Sequence, residues 1–171
     1  MSATALISFV FPALVIVAAL RDTTTLTIPN WLTGLGLIAF VPAALIAHLS
    51  LGEIGLCLAT GLGCLMIGMG LFAAGWAGGG DAKLLAVCGL WLGWRPVGPF
   101  LFWTALAGGV FALFLISVRR LATPFLARAP AWMIRLFSPG GEVPYGVAIA
   151  AGALMAFPHS PIMLALRQVG L

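Results

Sequence analysis

Five long stretches of this chain contain no Asp, Glu, Lys or Arg, and each is 20 to 30 residues long. About 20 apolar helical residues span the ~30 Å hydrocarbon core of a bilayer, because each residue of a helix adds about 1.5 Å. Over the whole chain 63% of the residues are hydrophobic and 7% are charged, which is too little charge to cover a soluble domain of this length. The sequence therefore predicts an integral membrane protein of the all-α class.

The apolar stretches and the breaks between them predict a bundle of six transmembrane helices in a single membrane-embedded domain, residues 1–171. The fourth span is short: its 13 residues would cover about 20 Å, so either its helix begins before Asp81 or the bilayer is thinner there. A turn is expected at 23–30, where threonines precede a proline, and an exposed tail after the last span. The predicted spans are residues 3–20, 31–48, 54–75, 82–94, 97–118 and 143–158, with an amphipathic segment on the membrane surface at 119–138.

The basic residues predict the orientation, since Lys and Arg are more frequent in cytoplasmic loops. With the N-terminus outside the cytoplasmic membrane, six spans leave the C-terminus outside as well. Six of the eight basic residues are then cytoplasmic, and only Arg95 and Arg167 are outside. The net charge of +4 is interpreted as a topology signal, so no nucleic-acid partner is predicted. The same orientation places Asp22, Asp81 and Glu142 at the cytoplasmic face.

One acidic residue occupies an unusual position, in the sequence Gly78-Gly79-Gly80-Asp81-Ala82-Lys83 at the mouth of the fourth span. A carboxylate there is costly, because hydrocarbon offers no water to solvate it. Glycines without side chains let another backbone approach closely. We therefore predict that Gly78–Gly80 receives a peptide, and hypothesise that this strip pairs with an extended substrate.

Asp22 ends the first predicted span and can face Asp81 across the bundle. Two neighbouring carboxyl groups do not both ionise, so one keeps a proton and polarises a carbonyl while the other activates water. Such a pair hydrolyses a peptide bond without metal or cofactor, and neither is predicted. The histidines form no H-E-x-x-H, the serines no G-x-S-x-G, and the three cysteines, which form no C-x-x-C pair, are predicted to pack in the core.

Less specific roles remain open for several of these residues. Asp81 is also a good helix N-cap, and Asp22 could be an ordinary loop acid beside Arg21. Lys83 either reaches the lipid phosphates or tunes the charge of Asp81. Glu142 either binds part of a substrate or is a solvated loop acid. Interfacial anchoring is predicted for the tryptophans near span ends, which are Trp31, Trp76, Trp91 and Trp94.

Three ordered motifs resemble a known family. They are Asp22 followed after five residues by Ile28-Pro29-Asn30, then Gly78-x-Gly80-Asp81-x-Lys83, and finally Pro144-Tyr145-Gly146 at the start of the last span. This arrangement is similar to the prepilin peptidases of the G-x-G-D class of membrane aspartic proteases, over nearly the whole chain.

The resemblance implies an endopeptidase that removes the leader from type IV prepilins or pseudopilins at the cytoplasmic membrane face, with Asp22 and Asp81 as catalytic pair. Many relatives carry an extra cytoplasmic region with paired cysteines and also methylate the new N-terminus. That region is absent here, so the chain is more similar to short, peptidase-only members serving Flp-type pili, and no methyltransferase activity is expected. The residues expected to bind substrate or shape the site are Ile28, Pro29, Asn30, Gly78, Gly79, Gly80, Lys83, Glu142, Pro144, Tyr145 and Gly146.

Two other classes of function also place acidic residues in a small membrane protein. A small ion- or proton-coupled transporter also uses acids within the membrane, but its acids would lie near mid-bilayer, whereas these collect at one face. A non-catalytic assembly subunit of a membrane complex would give no reason for two aspartates in these contexts. The lipid bilayer and a prepilin are the predicted partners.

Overall fold

A computed structural model describes residues 3–122, 130–138, 141 and 143–168 of the chain. These residues form helices and contain no strand, which confirms the predicted all-α class. In chain order the helices are α1 (Ala3–Thr25), α2 (Asn30–Ile46), α3 (Leu51–Ala73), α4 (Gly79–Leu92), α5 (Trp94–Ala122), α6 (Ala131–Phe137), α7 (Tyr145–Ala156), one 3₁₀ turn (Phe157–His159) and α8 (Pro161–Gln168).

The longer helices have the length and apolarity of membrane spans. Among the described residues four stretches qualify, namely Leu6–Thr25, Leu51–Ala73, Trp94–Arg119 and Tyr145–Gln168, and α2 is a shorter apolar helix. Their outward faces carry large apolar side chains that are more than half exposed, including Phe9, Ile38, Leu62, Met66 and Phe102. Apolar surface this extensive is typical of a protein whose surroundings are lipid. Each of the six predicted spans overlaps one of α1, α2, α3, α4, α5 and α7.

The short helix α4 lies at the centre of the bundle. Most of its residues are buried, including Leu84, Cys88 and Trp91 at 0% exposure, as expected of a helix that is apolar on every side. The indole N–H of Trp91 donates to the carbonyl of Gly36 in α2 at 2.8 Å. Neighbouring helices shield α4 from lipid, which accounts for a 14-residue helix in a bundle with longer ones. The prediction that Trp91 anchors at the interface is therefore wrong.

Close packing of α3 against α4 depends on two glycines of α3. A Cβ atom at Gly68 would lie 2.7 Å from the Cα of Ala82, and one at Gly61 would lie 3.1 Å from the Cβ of Leu90. Gly63 and Gly70 have nothing within 4 Å of such an atom. Small residues at a contact let helix backbones approach, and here only alternate glycines of α3 serve that purpose.

The predicted core position of the cysteines is confirmed, since all three are buried and free: Cys57, Cys64 and Cys88.

Helix α1 is longer than the sequence predicts. It continues past Leu20 to Thr25, so Asp22 lies within its last turn and the predicted turn at 23–30 is shorter. The hydroxyl groups of Thr23 and Thr25 donate to carbonyl oxygens four residues earlier, at 2.8 and 2.7 Å. Back-bonding of this kind is available to Thr inside a helix, and it keeps these β-branched residues helical here.

Two other expectations concern helix ends. Helix α4 begins at Gly79, two residues before Asp81, so the first of the two alternatives for the short span is the one observed. The exposed tail predicted after the last span is wrong, because 161–168 form α8, in which Ile162 and Leu166 are fully buried. An apolar pair four residues apart lies on one helix face, and this face packs on the core.

The predicted amphipathic segment at 119–138 is only partly described. Its first residues continue α5, and 131–137 form α6, whose Leu136 is buried. The guanidinium group of Arg119 donates two hydrogen bonds to the carbonyl of Leu136, at 3.0 and 2.9 Å. This contact joins the end of α5 to the end of α6. Arg128 and Glu142, which also belong to the predictions, lie outside the described residues.

Candidate active site

Asp22 and Asp81 line the same cavity, although 59 positions separate them in the sequence. The cavity has a volume of about 330 Å³ and is also lined by Leu26, by the 75–78 turn, and by Val143 and Tyr145. A second cavity of about 220 Å³, which runs along Thr27, Ile28 and the three glycines, is lined by both aspartates too. Both side chains are largely buried, with 5% of Asp22 and 9% of Asp81 exposed. The structure thus brings together the two acids that the sequence singled out.

Asp22 is held by the beginning of α7. Its Oδ2 atom accepts a hydrogen bond of 2.7 Å from the backbone N–H of Gly146, the second residue of that helix. The N-terminus of a helix carries unpaired N–H groups and a partial positive charge, so it stabilises a carboxylate. A Cβ atom at Gly146 would lie 2.8 Å from Oδ2 and 2.9 Å from the Cβ of Asp22. Only glycine fits at this position without displacing Asp22.

Asp81 is held by the beginning of α4. It is the third residue of the helix, and its Oδ2 atom accepts a hydrogen bond of 3.0 Å from the backbone N–H of Gly78, the N-cap residue. The capping role considered for this residue is therefore present. The other oxygen, Oδ1, is buried and has no hydrogen-bond partner among the described residues. Capping therefore occupies one carboxylate oxygen, whereas the second has no partner among these residues.

The glycines before Asp81 have different surroundings. A Cβ atom at Gly80 would lie 3.1 Å from the Cβ and 3.3 Å from the backbone nitrogen of Ile28, so this glycine lets the 26–29 turn pack against α4. At Gly79 the nearest atoms would belong to the Phe72 ring, at 3.7 Å, an ordinary contact distance. Gly78 contributes its N–H to Asp81. Of the three, Gly79 has the most room for a side chain.

Asn30 and Lys83 form a pair of their own. The Lys83 Nζ atom donates to Oδ1 of Asn30 at 2.7 Å, which joins the first residue of α2 to α4. Pro29 is the N-cap residue of α2, and Ile28 is buried against Gly80. Asn30 and Lys83 do not line the cavity of the two aspartates. They line a largely apolar groove of about 660 Å³ between α2 and α3.

The third predicted motif lies at the start of α7. Pro144 is buried and is the N-cap residue of the helix, whereas the Tyr145 side chain is 36% exposed and lines the aspartate cavity. Sequence reasoning missed Leu26, which lines both aspartate cavities and has a left-handed backbone with φ +54°. Left-handed conformations are uncommon for Leu and cluster near functional sites. No sequence signal marks that position, because the usual left-handed residues are Gly and Asn.

The arrangement places two carboxyl groups at the N-terminal ends of two helices around one cavity. Among the described residues no group of three His, Cys, Asp or Glu side chains could hold a metal ion. Acids presented to a common space in this way can transfer protons to and from a molecule between them. Trp76, whose side chain is 70% exposed, also lines this cavity.

Comparison with known proteins identifies a family and a curated relative. Residues 9–113 match the profile of the Type IV leader peptidase family. A relative from Bacillus subtilis (strain 168), described as prepilin leader peptidase/N-methyltransferase, is 32% identical over 153 residues, which are 86% of this chain and 53% of the relative. The chain thus spans about half the length of that relative. No solved structure matches the chain.

Proposed function

The chain belongs to the Type IV leader peptidase family, and we propose that it is an aspartic endopeptidase that removes the leader peptide from type IV prepilins or pseudopilins. Asp22 and Asp81 are the catalytic pair. One observation carries this proposal: both acids line a single cavity, and a glycine N–H at a helix N-terminus holds one oxygen of each. The acids of a transporter would instead lie near the middle of the bilayer.

In the proposed mechanism one carboxyl group of the pair is protonated and the other is ionised. The ionised group takes a proton from water, and the oxygen of that water attacks the carbonyl carbon of the scissile peptide bond. The protonated group donates a hydrogen bond to the carbonyl oxygen as negative charge develops there. The tetrahedral intermediate then collapses, the C–N bond breaks, and the leaving nitrogen takes up a proton from the pair. The products are a leader with a free carboxylate and a pilin with a free amine.

The substrate's chemistry accounts for where this pair lies. A prepilin presents a basic leader in the cytoplasm and an apolar helix in the bilayer, so its scissile bond reaches the depth at which a membrane-face pair operates. We therefore propose six transmembrane helices in the cytoplasmic membrane, with both termini outside and the pair facing the cytoplasm. Four basic residues at the ends of α1, α4 and α5 and in α6 support this orientation, namely Arg21, Lys83, Arg119 and Arg135.

We also propose a narrower activity than the description of the relative includes, namely peptidase activity alone. The turn between α1 and α2 is short, residues 26–29, and has no room for an inserted region. We therefore propose that the chain cleaves Flp-like prepilins and does not methylate the new N-terminus. The other residues proposed to shape the site do so by positioning their neighbours. Ile28 packs against Gly80, Asn30 accepts a hydrogen bond from Lys83, and Gly146 donates one to Asp22.

Co-expression with a candidate prepilin tests the proposal. Loss of the leader, seen as a shift of the pilin band on a gel, is expected with the wild type and not with Asp22→Asn or Asp81→Asn. Mass spectrometry of the processed pilin should find an unmethylated N-terminal amine. Unprocessed pilin with the wild type, across a set of prepilins, would contradict the proposed activity, and a methylated product would contradict its narrower form.

A further inference from the structure

A separate cavity lies one helical turn beyond the aspartates. Its volume is about 230 Å³, and Asp81 and Tyr145 line it together with Leu85 and Ile149. Leu85 follows Asp81 by four residues in α4, and Ile149 follows Tyr145 by four in α7. Residues four apart lie on the same face of a helix, about 6 Å apart along its axis. We call the cavity of about 330 Å³ that both aspartates line the catalytic cavity, and this separate one the inner cavity. The inner cavity therefore extends from the catalytic cavity along α4 and α7, away from the helix ends that hold Asp22 and Asp81.

The inner cavity adjoins the catalytic cavity. Trp76, Ala77, Asp81 and Tyr145 line both of them. When a substrate group is bound beside Asp81 in the catalytic cavity, the next atoms of that substrate can therefore reach the inner cavity. For a peptide, whose successive side chains point in opposite directions when it is extended, that space suits the side chain next to the reacting bond.

The wall of the inner cavity is apolar. It is formed by side chains such as Leu71, Leu85 and Ile149. Thr104 also lines this cavity, and its Oγ1 atom is buried without a hydrogen-bond partner among the described residues and packs against Gly152 of α7. A space of this composition favours an apolar group, because burying further polar atoms there without partners costs free energy.

We propose that the inner cavity is the subsite for one apolar substrate side chain, that of the residue following the scissile bond. This inference depends on the proposed peptidase function and adds to it the residues that set specificity, with Leu71, Leu85 and Ile149 as its wall. The direction in which the inner cavity extends indicates that it receives the residue after the scissile bond and not the one before it. The inner cavity extends from the catalytic cavity into the bundle along α4 and α7, and in a prepilin the segment after the bond is the one that enters the bilayer.

Leu71 provides the sharpest test, because it lines the inner cavity and not the catalytic one. Leu71→Ala enlarges the subsite and Leu71→Trp fills it. Purified protein in liposomes is given a synthetic prepilin series with Ala, Val, Leu, Phe or Trp after the scissile bond, and kcat/KM is measured for each. A second series carries the same five residues before the bond. Met66, in the same helix, is 69% exposed, so Met66→Ala and Met66→Trp are the controls.

The expected result is a change in the order of preference. One misfitting methylene in an apolar pocket changes kcat/KM by about 10- to 200-fold. Leu71→Ala should therefore raise the ratio of the Trp to the Ala substrate by at least about 10-fold, and Leu71→Trp should lower it by as much. The Met66 variants, and the series varied before the bond, should keep the wild-type order.

Three outcomes would overturn the inference. The first is an unchanged order in both Leu71 variants, which would leave the peptidase function intact because cleavage is still observed. The second is a shift confined to the series varied before the bond. The third is that the wild type cleaves no substrate, in which case the proposed function fails together with the subsite. If Leu71→Trp is inactive on every substrate, Leu71→Ala and Ile149→Val carry the test, since both enlarge the cavity and both must shift the preference to larger side chains.

Discussion

The backbone N–H of Gly146 donates a 2.7 Å hydrogen bond to Oδ2 of Asp22, a residue 124 positions earlier in the chain. The contact ties the last turn of α1 to the first turn of α7, and it leaves no space for a side chain at residue 146. It also explains physically why a glycine follows Pro144-Tyr145. The glycine is needed for the position of an acid on another helix.

Gly146→Ala should therefore displace Asp22 and lower the rate of leader removal. A hydrogen bond to a charged group contributes about 1.5–3 kcal/mol, which corresponds to a loss of roughly 10- to 100-fold in kcat/KM. Gly109→Ala in α5, where an added Cβ meets nothing within 4 Å, is the matched control and should retain wild-type kinetics. Equal activity of the two variants would show that the Gly146 contact does not position the acid.

Gly80 and Gly79 should respond differently to substitution. Gly80→Ala pushes the 26–29 turn away from α4, because its Cβ would meet Ile28 at 3.1 Å, and we expect lower activity and a lower Tm. Gly79→Ala has room and should be tolerated. If the strip pairs with substrate backbone, Gly79→Val should raise KM without lowering Tm. Wild-type cleavage by Gly79→Val would exclude pairing at that residue.

The hydrogen bond between Lys83 and Asn30 should appear as coupling between the two residues. We expect Lys83→Met and Asn30→Leu each to lower activity, and the double variant to be no worse than the poorer single variant, because both remove the same contact. A double-mutant cycle of kcat/KM in liposomes measures this directly. Single effects that simply add would mean that the two residues act separately, with Lys83 interacting with lipid or with Asp81 instead.

The packing of α3 on α4 can be tested through stability alone. Gly68→Ala introduces a Cβ 2.7 Å from the backbone of Ala82, and overpacking of this kind costs about 1–3 kcal/mol. Gly70→Ala, on the open side of the same helix, should change stability by less than about 0.5 kcal/mol. Thermal unfolding of the purified proteins in one detergent compares them. A Gly68 variant as stable as the Gly70 variant would contradict the observed contact.

The sequence predicts well what depends on transfer from water to lipid. Apolar stretches identified the helices, and the cost of a buried carboxylate identified Asp81 as unusual. Hydropathy does not report where a helix ends once local hydrogen bonds extend it, which is why α1 continues to Thr25. It also does not distinguish a central helix from one at the lipid surface, which is why Trp91 was misplaced.

The contacts that organise the candidate site could not be predicted from the sequence. Those between Gly146 and Asp22 and between Lys83 and Asn30 join segments 124 and 53 positions apart, and no local pattern encodes such distances. Leu26 was missed for a different reason, since its left-handed backbone is imposed by the packing of the turn and not by its own preference. The residue types of the motifs were predictable, whereas their partners required the fold.

The most direct test of the central claim is the initial rate of leader release by purified protein in liposomes, for the wild type, Asp22→Asn and Asp81→Asn. Glu53→Gln is the matched control, because Glu53 is an acid that caps the start of α3 through Ser50 and does not line the aspartate cavities. Proton transfer by a positioned side chain contributes about 10²- to 10⁴-fold to a rate. Each aspartate variant should therefore lose at least about 100-fold while Glu53→Gln stays close to the wild type. A rate within about 10-fold of the wild type in either aspartate variant would contradict catalysis by this pair.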